Sequence, residues 1–306
     1  MNDVVAYYKK ISETEICLLK VYAKNSVVCI PEKIDGLIVK EIGDYCFSKK
    51  EVDLSHASLS TKDLEGYREC SKENISEIVF PRTLTKIGNY AFYQCRKLEK
   101  IVLPTTLQIL GCDVFMNCTH FHTLGFQGSI YDSTILKQIL NQIPWDVEIQ
   151  FQEASIFYPE YDGGYDEVGP AHIFALNIQG EGFRMRQCFK EGKIQLDEYD
   201  ACFEKVCVEE RDTTIFHMAC CRLFFNPDLY IPYIHKHASQ FMEYVHTYIS
   251  QKTEIVKVVL DYKAMNQSNL DWLIQKEKNM EEKTKLMALK QKYFSFSSMY
   301  SFEDFS

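Results

Sequence analysis

The sequence predicts an α+β fold in which a short β-solenoid is followed by an all-α, helical-array domain. Three observations predict it. A pattern of apolar residues is written twice at a spacing of 23 residues, most of the chain after residue 183 has helical periodicity, and the segment before that is rich in proline, glycine and acidic residues. A fixed period of roughly 20–29 residues is typical of repeats that stack on one another.

The repeat is clearest between residues 75 and 124. One copy opens with Ile78-Val79-Phe80-Pro81 and the next with Ile101-Val102-Leu103-Pro104. Alternation along a strand turns the first and third residue of each string inward and the second outward. Proline cannot donate to a ladder and therefore ends each strand. Gly88 and Gly111 are expected at a turn that needs a positive φ.

The second half of each copy supplies core residues at matching positions. Phe92 and Phe115 are expected to stack on neighbouring turns, and Cys95 and Cys118 fall at the same corner. A small apolar thiol suits a buried corner. Because one copy cannot bury its own apolar face, stacking is what makes the unit stable.

The string Ile-Val-Phe-Pro-x-x-Leu-x-x-Ile-Gly-x-x-Ala-Phe-x-x-Cys-x-x-Leu, at residues 78–98, resembles the BspA-type, Treponema-like leucine-rich repeat. The resemblance extends over roughly residues 14–126. It implies a bacterial repeat scaffold, and some members of that family are surface proteins that bind host or partner proteins. The expectation for this chain is therefore a binding module.

The chain is predicted to consist of a repeat domain at 1–155, a connecting segment at 156–182 and a helical domain at 183–306. Within the repeat domain, residues 16–30 read as a hairpin that turns at Lys24-Asn25-Ser26. Val52-Asp53-Leu54 is the expected strand of a degenerate copy, and residues 62–70 are expected to be helical. Residues 129–153 would form a modified last turn that caps the solenoid, with a helix over 132–143.

The helical domain is predicted to contain serial helices of 8–15 residues in ankyrin-like pairs. Gly169-Pro170-Ala171, Arg186-Gln187-Cys188-Phe189 and Tyr199-Asp200 are similar to a helical region of clostridial proteins that carry the same repeats and have no known function. His172 stands where that similarity would place an arginine. The resemblance therefore implies a helical architecture for this region and implies no activity.

Composition limits the class of ligand and the compartment. The formal net charge of −9 disfavours nucleic acid as the main ligand. No stretch of about 18 apolar residues is present, so no membrane span is predicted. The first ten residues lack the pattern of a secretory signal. The 12 cysteines are predicted to be reduced thiols of a cytoplasmic protein. The alternative location is the cell surface, if a signal once preceded these residues.

Several clusters contain metal-ligating residue types, but each has a simpler structural interpretation. Cys118-Thr119-His120-Phe121-His122 matches no zinc-finger spacing, and its histidines flank a core phenylalanine. Cys202, Cys207, His217, Cys220 and Cys221 would be either a metal or redox site or, as we favour, a helix–helix core. Asp162-Gly163-Gly164-Tyr165-Asp166-Glu167 lacks EF-hand spacing and reads as a solvated acidic loop. We therefore expect no metal, no cofactor and no catalytic residue, and predict that the chain is not an enzyme.

The function predicted from the sequence is protein–protein interaction through the exposed strand face of the solenoid. The partner would be a protein or peptide. The residues expected on this face are Asp53, Glu77, Val79, Lys100, Val102, Thr123, Glu148 and Gln150. The alternative is a metal-binding or enzymatic role of the helical domain, and a second alternative is a structural part of a bacterial surface assembly.

Overall fold

A computed structural model of the protein describes residues 4–61, 64–168 and 173–294. The chain divides into two compact units, Met1–Lys205 and Val206–Ser306. The first unit contains the β-solenoid and the second is helical. No helix among the described residues has the length and apolar character needed to cross a bilayer.

The first unit holds all the strands of the residues that the structure describes. They are Val4–Lys10 (β1), Glu15–Ala23 (β2), Val27–Cys29 (β3), Lys33–Ile34 (β4), Leu37–Ile42 (β5), Ser58–Leu59 (β6), Arg68–Glu69 (β7), Glu77–Val79 (β8), Lys86–Ile87 (β9), Lys100–Leu103 (β10), Ile109–Leu110 (β11), Thr123–Phe126 (β12), Val147–Gln150 (β13), Ser155–Tyr158 (β14), Asp162–Val168 (β15), Ile173–Gln179 (β16), Phe189–Lys190 (β17) and Lys193–Ile194 (β18). Its short helices are Leu136–Leu140 (α1), Gly182–Met185 (α2) and Leu196–Ala201 (α3).

Two sheets line the solenoid. A six-stranded sheet has the order β14-β13-β12-β10-β8-β3, and an eight-stranded sheet has the path β11-β9-β5-β2-β1-β6 with β4 and β7 attached at its side. Strands of successive turns pair in parallel, so Ile78 lies beside Ile101 and Ile101 beside Leu124. These three side chains are fully buried. The predicted solenoid and its inward alternation are confirmed.

A column of phenylalanine rings runs through the core. The Phe92 ring stacks on Phe47 at a centroid distance of 4.8 Å and on Phe115 at 6.1 Å. At the next corner the thiols of Cys95 and Cys118 each donate to a backbone carbonyl of the preceding turn, at 3.1 Å. Burial raises the pKa of Cys118 to about 12. The core roles predicted for these phenylalanines and cysteines are confirmed.

The two repeat glycines are needed for close approach and not for a positive φ, so that expectation is wrong. A Cβ on Gly88 would lie 2.6 Å from the backbone nitrogen of Asp44, and one on Gly111 would lie 2.5 Å from that of Asn89. Backbones of adjacent turns therefore touch at this corner. The left-handed positions fall two residues later, at Tyr45, Tyr90 and Asp113, with φ of 57°, 53° and 49°.

The N-terminal part differs from the predicted hairpin. The strand β2 pairs antiparallel with β1 and parallel with β5, whereas β3 belongs to the other sheet. The Lys24-Asn25-Ser26 turn therefore carries the chain from one sheet to the other. A hairpin signal in sequence gives the turn, but it does not decide which strand each arm will join.

The degenerate copy was also predicted wrongly. Val52-Asp53-Leu54 forms no strand, and the described residues from 64 to 70 contain turns and β7 in place of a helix. In this region the chain supplies β6 to the edge of β1 and β7 to the end of β2. Long-range pairing thus overrides the local pattern.

The C-terminal end of the solenoid is capped as expected, but with different elements. The helix α1 is shorter than the predicted 132–143, and β13 continues the parallel register one turn after β12. An antiparallel strand, β14, then closes the sheet. The expected connecting segment contains this strand and the β15–β16 hairpin. The predicted Gly169-Pro170-Ala171 and His172 signals lie outside the described residues.

The second unit is an array of helices. They are Phe203–Glu209 (α4, which crosses the division), Asp212–Arg222 (α5), Pro227–Lys236 (α6), Ala238–Tyr248 (α7), Lys252–Asp261 (α8), Gln267–Lys276 (α9) and Met280–Phe294 (α10). At its C-terminal end, Lys252 forms a buried ion pair with Glu277 at 2.8 Å, and Glu282 accepts the backbone N–H of Lys252 at 3.1 Å. These contacts join α8 to the chain around α10. The predicted helical character of this region is confirmed.

Candidate binding face

The outward side of the six-stranded sheet carries two straight rows of side chains, which we call the binding face. Because the strands pair in parallel register, residues of one row are direct neighbours on successive strands. The first row is Val27, Glu77, Lys100, Thr123 and Glu148, and the second row is Cys29, Val79, Val102, Gly125 and Gln150. The face is therefore a rigid product of the repeat, with neighbours about 4.8 Å apart.

Seven of the eight residues predicted for this face lie in the two rows. Asp53 does not, because it belongs to no strand, and its carboxylate accepts the N–H of Ser55 at 2.9 Å. Thr123 is in the first row but only 8% exposed, and its hydroxyl lies 2.8 Å from Nδ1 of His122. The structure therefore places Asp53 off the sheet and leaves Thr123 little surface to offer a partner.

Two residues of the face were missed at its N-terminal end. Val27 is 53% exposed, and Cys29 carries an exposed thiol. A signal for them was present in the sequence, since Ile30-Pro31 occupies the positions of Phe80-Pro81 and places β3 in the same register as β8. The strand β3 is thus the outermost strand of the binding face on its N-terminal side.

The centre of the face is apolar. Val79 and Val102 are adjacent and half-buried, and Gly125 follows them in the row. A Cβ at residue 125 would lie 3.2 Å from Cγ2 of Val102. The absence of a side chain at this glycine therefore leaves the valine uncovered on that side.

Charged groups surround the two valines. Glu77 and Lys100 are neighbours in the first row, yet no ion pair joins them within the described part of the chain. Further along, the Gln150 amide donates to the Glu148 carboxylate at 3.0 Å. The two valines are therefore bordered in the first row by one acidic and one basic side chain, those of Glu77 and Lys100.

The first group of candidate metal ligands is divided by the repeat between the core and the surface. Cys118 is buried and donates to the carbonyl of Phe92, while His120 and His122 are exposed on either side of buried Phe121. This agrees with the core-and-surface interpretation of the motif. The acidic string at residues 162–167 lies in β15 and not in a loop, so the loop interpretation is wrong.

The second group divides between the two units. In the first unit the Cys202 sulfur lies 3.9 Å from that of Cys188, a neighbour that the sequence did not single out. In the second unit Cys220 is buried in α5, and Cys207, whose pKa burial raises to about 11, lies in α4. The His217 ring is 6.5 Å from the ring of Tyr244.

Comparison with known proteins identifies the repeat. The model of the BspA type leucine rich repeat region matches residues 40–157 in six copies. Residues 40–157 are therefore similar to BspA-type leucine-rich repeats. The match covers a little over a third of the chain and includes β8, β10, β12 and β13 of the binding face.

The chain also matches one solved structure over part of its length. It is a leucine rich cell surface protein from Faecalibacterium prausnitzii A2-165, with 14% sequence identity and a TM-score of 0.18. The alignment covers 40% of this chain and 40% of that one. No curated protein matches the sequence.

Proposed function

We propose that the BspA-type solenoid binds a protein partner across the binding face. The observation that carries this proposal is the parallel register of five strands, which aligns outward side chains in two rows on a rigid sheet. Leucine-rich repeats of this type suggest a role in protein binding or at a surface. A rigid surface binds without the entropic cost of ordering its own backbone.

The chemistry of the face favours a protein over a small molecule. Val79 and Val102 form an apolar centre, and Glu77, Lys100 and Glu148 surround it with charge. An apolar centre within a polar rim is the usual layout of a protein interface. The energy of such interfaces is concentrated in a few central side chains. The two valines are therefore the residues on which binding should depend most.

Changing Val79 and Val102 together to Asp is expected to reduce capture of the partner at least tenfold, because two charges would replace the apolar centre. Affinity would be measured by surface plasmon resonance with a partner found by pull-down. Ile109→Asp is the matched control, since Ile109 is an exposed aliphatic residue of the other sheet. The Val79→Thr and Val102→Thr pair keeps the β-branched shape and checks that any loss is not unfolding. Retained binding in the Asp pair would contradict the proposal.

We also propose that this binding takes place in the cytoplasm. None of the twelve cysteines forms a disulfide in the structure. Burial raises the pKa of Cys17 to about 11 and that of Cys70 to about 12, so these two thiols are poor nucleophiles at neutral pH. Protein purified in its natural redox state and then denatured should therefore yield 12 titratable thiols in a thiol-counting assay. A count that is lower by an even number would indicate disulfides and favour the cell surface.

A further inference from the structure

The edges of the two sheets of the solenoid are not equally covered by further strands. At the N-terminal end of the eight-stranded sheet, β2 is covered by β1 and, at its last residues, by β7. At the C-terminal end of the six-stranded sheet, β13 is covered by antiparallel β14. At the opposite edge of that same sheet, β3 pairs with β8 and with no other strand in the described part of the chain. The β3 edge is therefore an open edge next to the binding face.

Alternate residues of β3 direct their backbone N–H and C=O groups to this open edge. Ser26 accepts from the N–H of Glu77 at 3.3 Å, and Ile30 donates to Val79 at 2.9 Å, so even-numbered residues face β8. Alternation then directs the N–H and C=O groups of Val27 and Cys29 away from the sheet. These are the unpaired groups that an added strand would need.

No side chain within β3 guards against such pairing. Its three residues, Val27-Val28-Cys29, include no charge and no proline, which are the usual means by which natural edge strands avoid a partner. Lys24 and Pro31 stand outside the strand on either side. The Val27 side chain is 53% exposed and that of Val28 is 1% exposed, so the strand is held by the core yet open to solvent.

We propose that the β3 edge takes up an extended segment of the partner protein as an additional strand of the six-stranded sheet. This inference rests on the proposed function and adds where and how the partner begins to bind. The segment would carry apolar side chains beside Val27 and Cys29, continuing both rows of the binding face by one strand. Main-chain hydrogen bonds supply affinity in this mode of recognition, and alternate side chains supply specificity.

A second copy of this chain is a poorer occupant of the edge. Pairing of one three-residue strand with its symmetry mate would bury far less than the roughly 1,200 Å² that stable interfaces need. A partner segment is not limited in this way, because it can continue from the edge across the valines of the binding face.

The test uses the full chain and a probe peptide selected on it from a random nonapeptide phage library. Val27→Pro removes an edge N–H without removing a bond to β8, and proline is tolerated at the first residue of an edge strand. Val27→Thr is the matched control, since it keeps the N–H and the β-branched shape. We expect at least tenfold weaker binding of the peptide to Val27→Pro and little change with Val27→Thr.

A second measurement addresses the peptide itself. Two peptides would be N-methylated at alternate residues, one on the residues whose N–H groups face β3 and one on the residues between them. The first modification should abolish binding, and the second should leave binding nearly unchanged. Amide exchange of Ile30, whose N–H donates to the Val79 carbonyl, should match the wild type in free Val27→Pro and so show that β3 is still paired with β8.

Three results of the peptide experiments would overturn the inference. They are failure to select any peptide, equal binding by Val27→Pro, and insensitivity to both N-methylations. If the Val79→Asp and Val102→Asp pair still loses the protein partner in those cases, the proposed function stands and only the edge mode fails. A dimer in sedimentation that Val27→Pro dissociates would assign the edge to a second copy and also overturn the proposal.

Discussion

Replacing Arg186 with Met is expected to lower the free energy of unfolding of the first unit by about 3 kcal/mol or more, because several buried acceptors lose their donor at once. The Arg186 side chain is 1% exposed. Its guanidinium donates to the backbone carbonyls of Ile143 at 3.0 Å, Trp145 at 2.9 Å, Pro159 at 2.6 Å and Gly182 at 2.9 Å. These carbonyls come from three separate segments, so one side chain holds the C-terminal cap of the solenoid together.

The surroundings of Arg186 reinforce this role. Its guanidinium carbon lies 5.6 Å from the ring centre of Tyr158 and 5.1 Å from that of Tyr161. Burial lowers the pKa of Arg186 to about 10, which still leaves the group charged at neutral pH. Methionine matches the aliphatic length of the side chain but offers no donor, so the change isolates the lost hydrogen bonds from loss of volume.

Chemical denaturation followed by far-ultraviolet circular dichroism would measure the effect. Arg184→Met is the matched control, since Arg184 is two residues away, 54% exposed, and paired only loosely with Glu181 at 3.9 Å. That control should change stability by well under the effect of Arg186→Met, because the Arg184 guanidinium is largely exposed and 3.9 Å from the Glu181 carboxylate. An Arg186→Met variant within about 1 kcal/mol of the wild type would show that water can replace the guanidinium at these carbonyls.

Arg186 also illustrates what the sequence does not reveal. The repeat could be predicted because each of its signals is local and recurs, as with Phe92 and Phe115. The partners of Arg186 lie between 4 and 43 positions away and are backbone carbonyls, which carry no residue-specific signal. The same reason explains why Val52-Asp53-Leu54 was taken for a strand: whether a short apolar string joins a sheet depends on which edges remain free.

The binding face was predictable for a simpler reason. Alternation assigns Val79 and Val102 to the outward side from sequence alone. It does not state how much of each side chain stays uncovered, and Thr123 is buried although its position in the row is as expected. For the open β3 edge the sequence carries two competing signals: Ile30-Pro31 matches Phe80-Pro81, but the turn at Lys24-Asn25-Ser26 suggests a hairpin with the strand before it.

Truncating Phe92 to Ala is expected to cost about 3–5 kcal/mol of stability, the usual range for a buried aromatic ring. The ring is fully buried, stacks between Phe47 and Phe115, and contacts the Phe80 ring edge-on at 6.1 Å. It thus joins three turns of the solenoid, and its loss would leave a cavity that the stacked backbones cannot close. Tyr93→Ala is the matched control, because this neighbouring ring is half-buried at the surface and should cost much less.

The position of the damage is as informative as its size. In a stacked array each turn contacts only its neighbours, so Phe92→Ala should raise amide exchange most in residues 75–124. Residues 206–294 form a separate compact unit with its own buried helix faces and should keep their protection. Hydrogen exchange with mass spectrometry would resolve the two regions. If protection fell equally in both, the units would unfold as one and the division at residue 205 would have no energetic meaning.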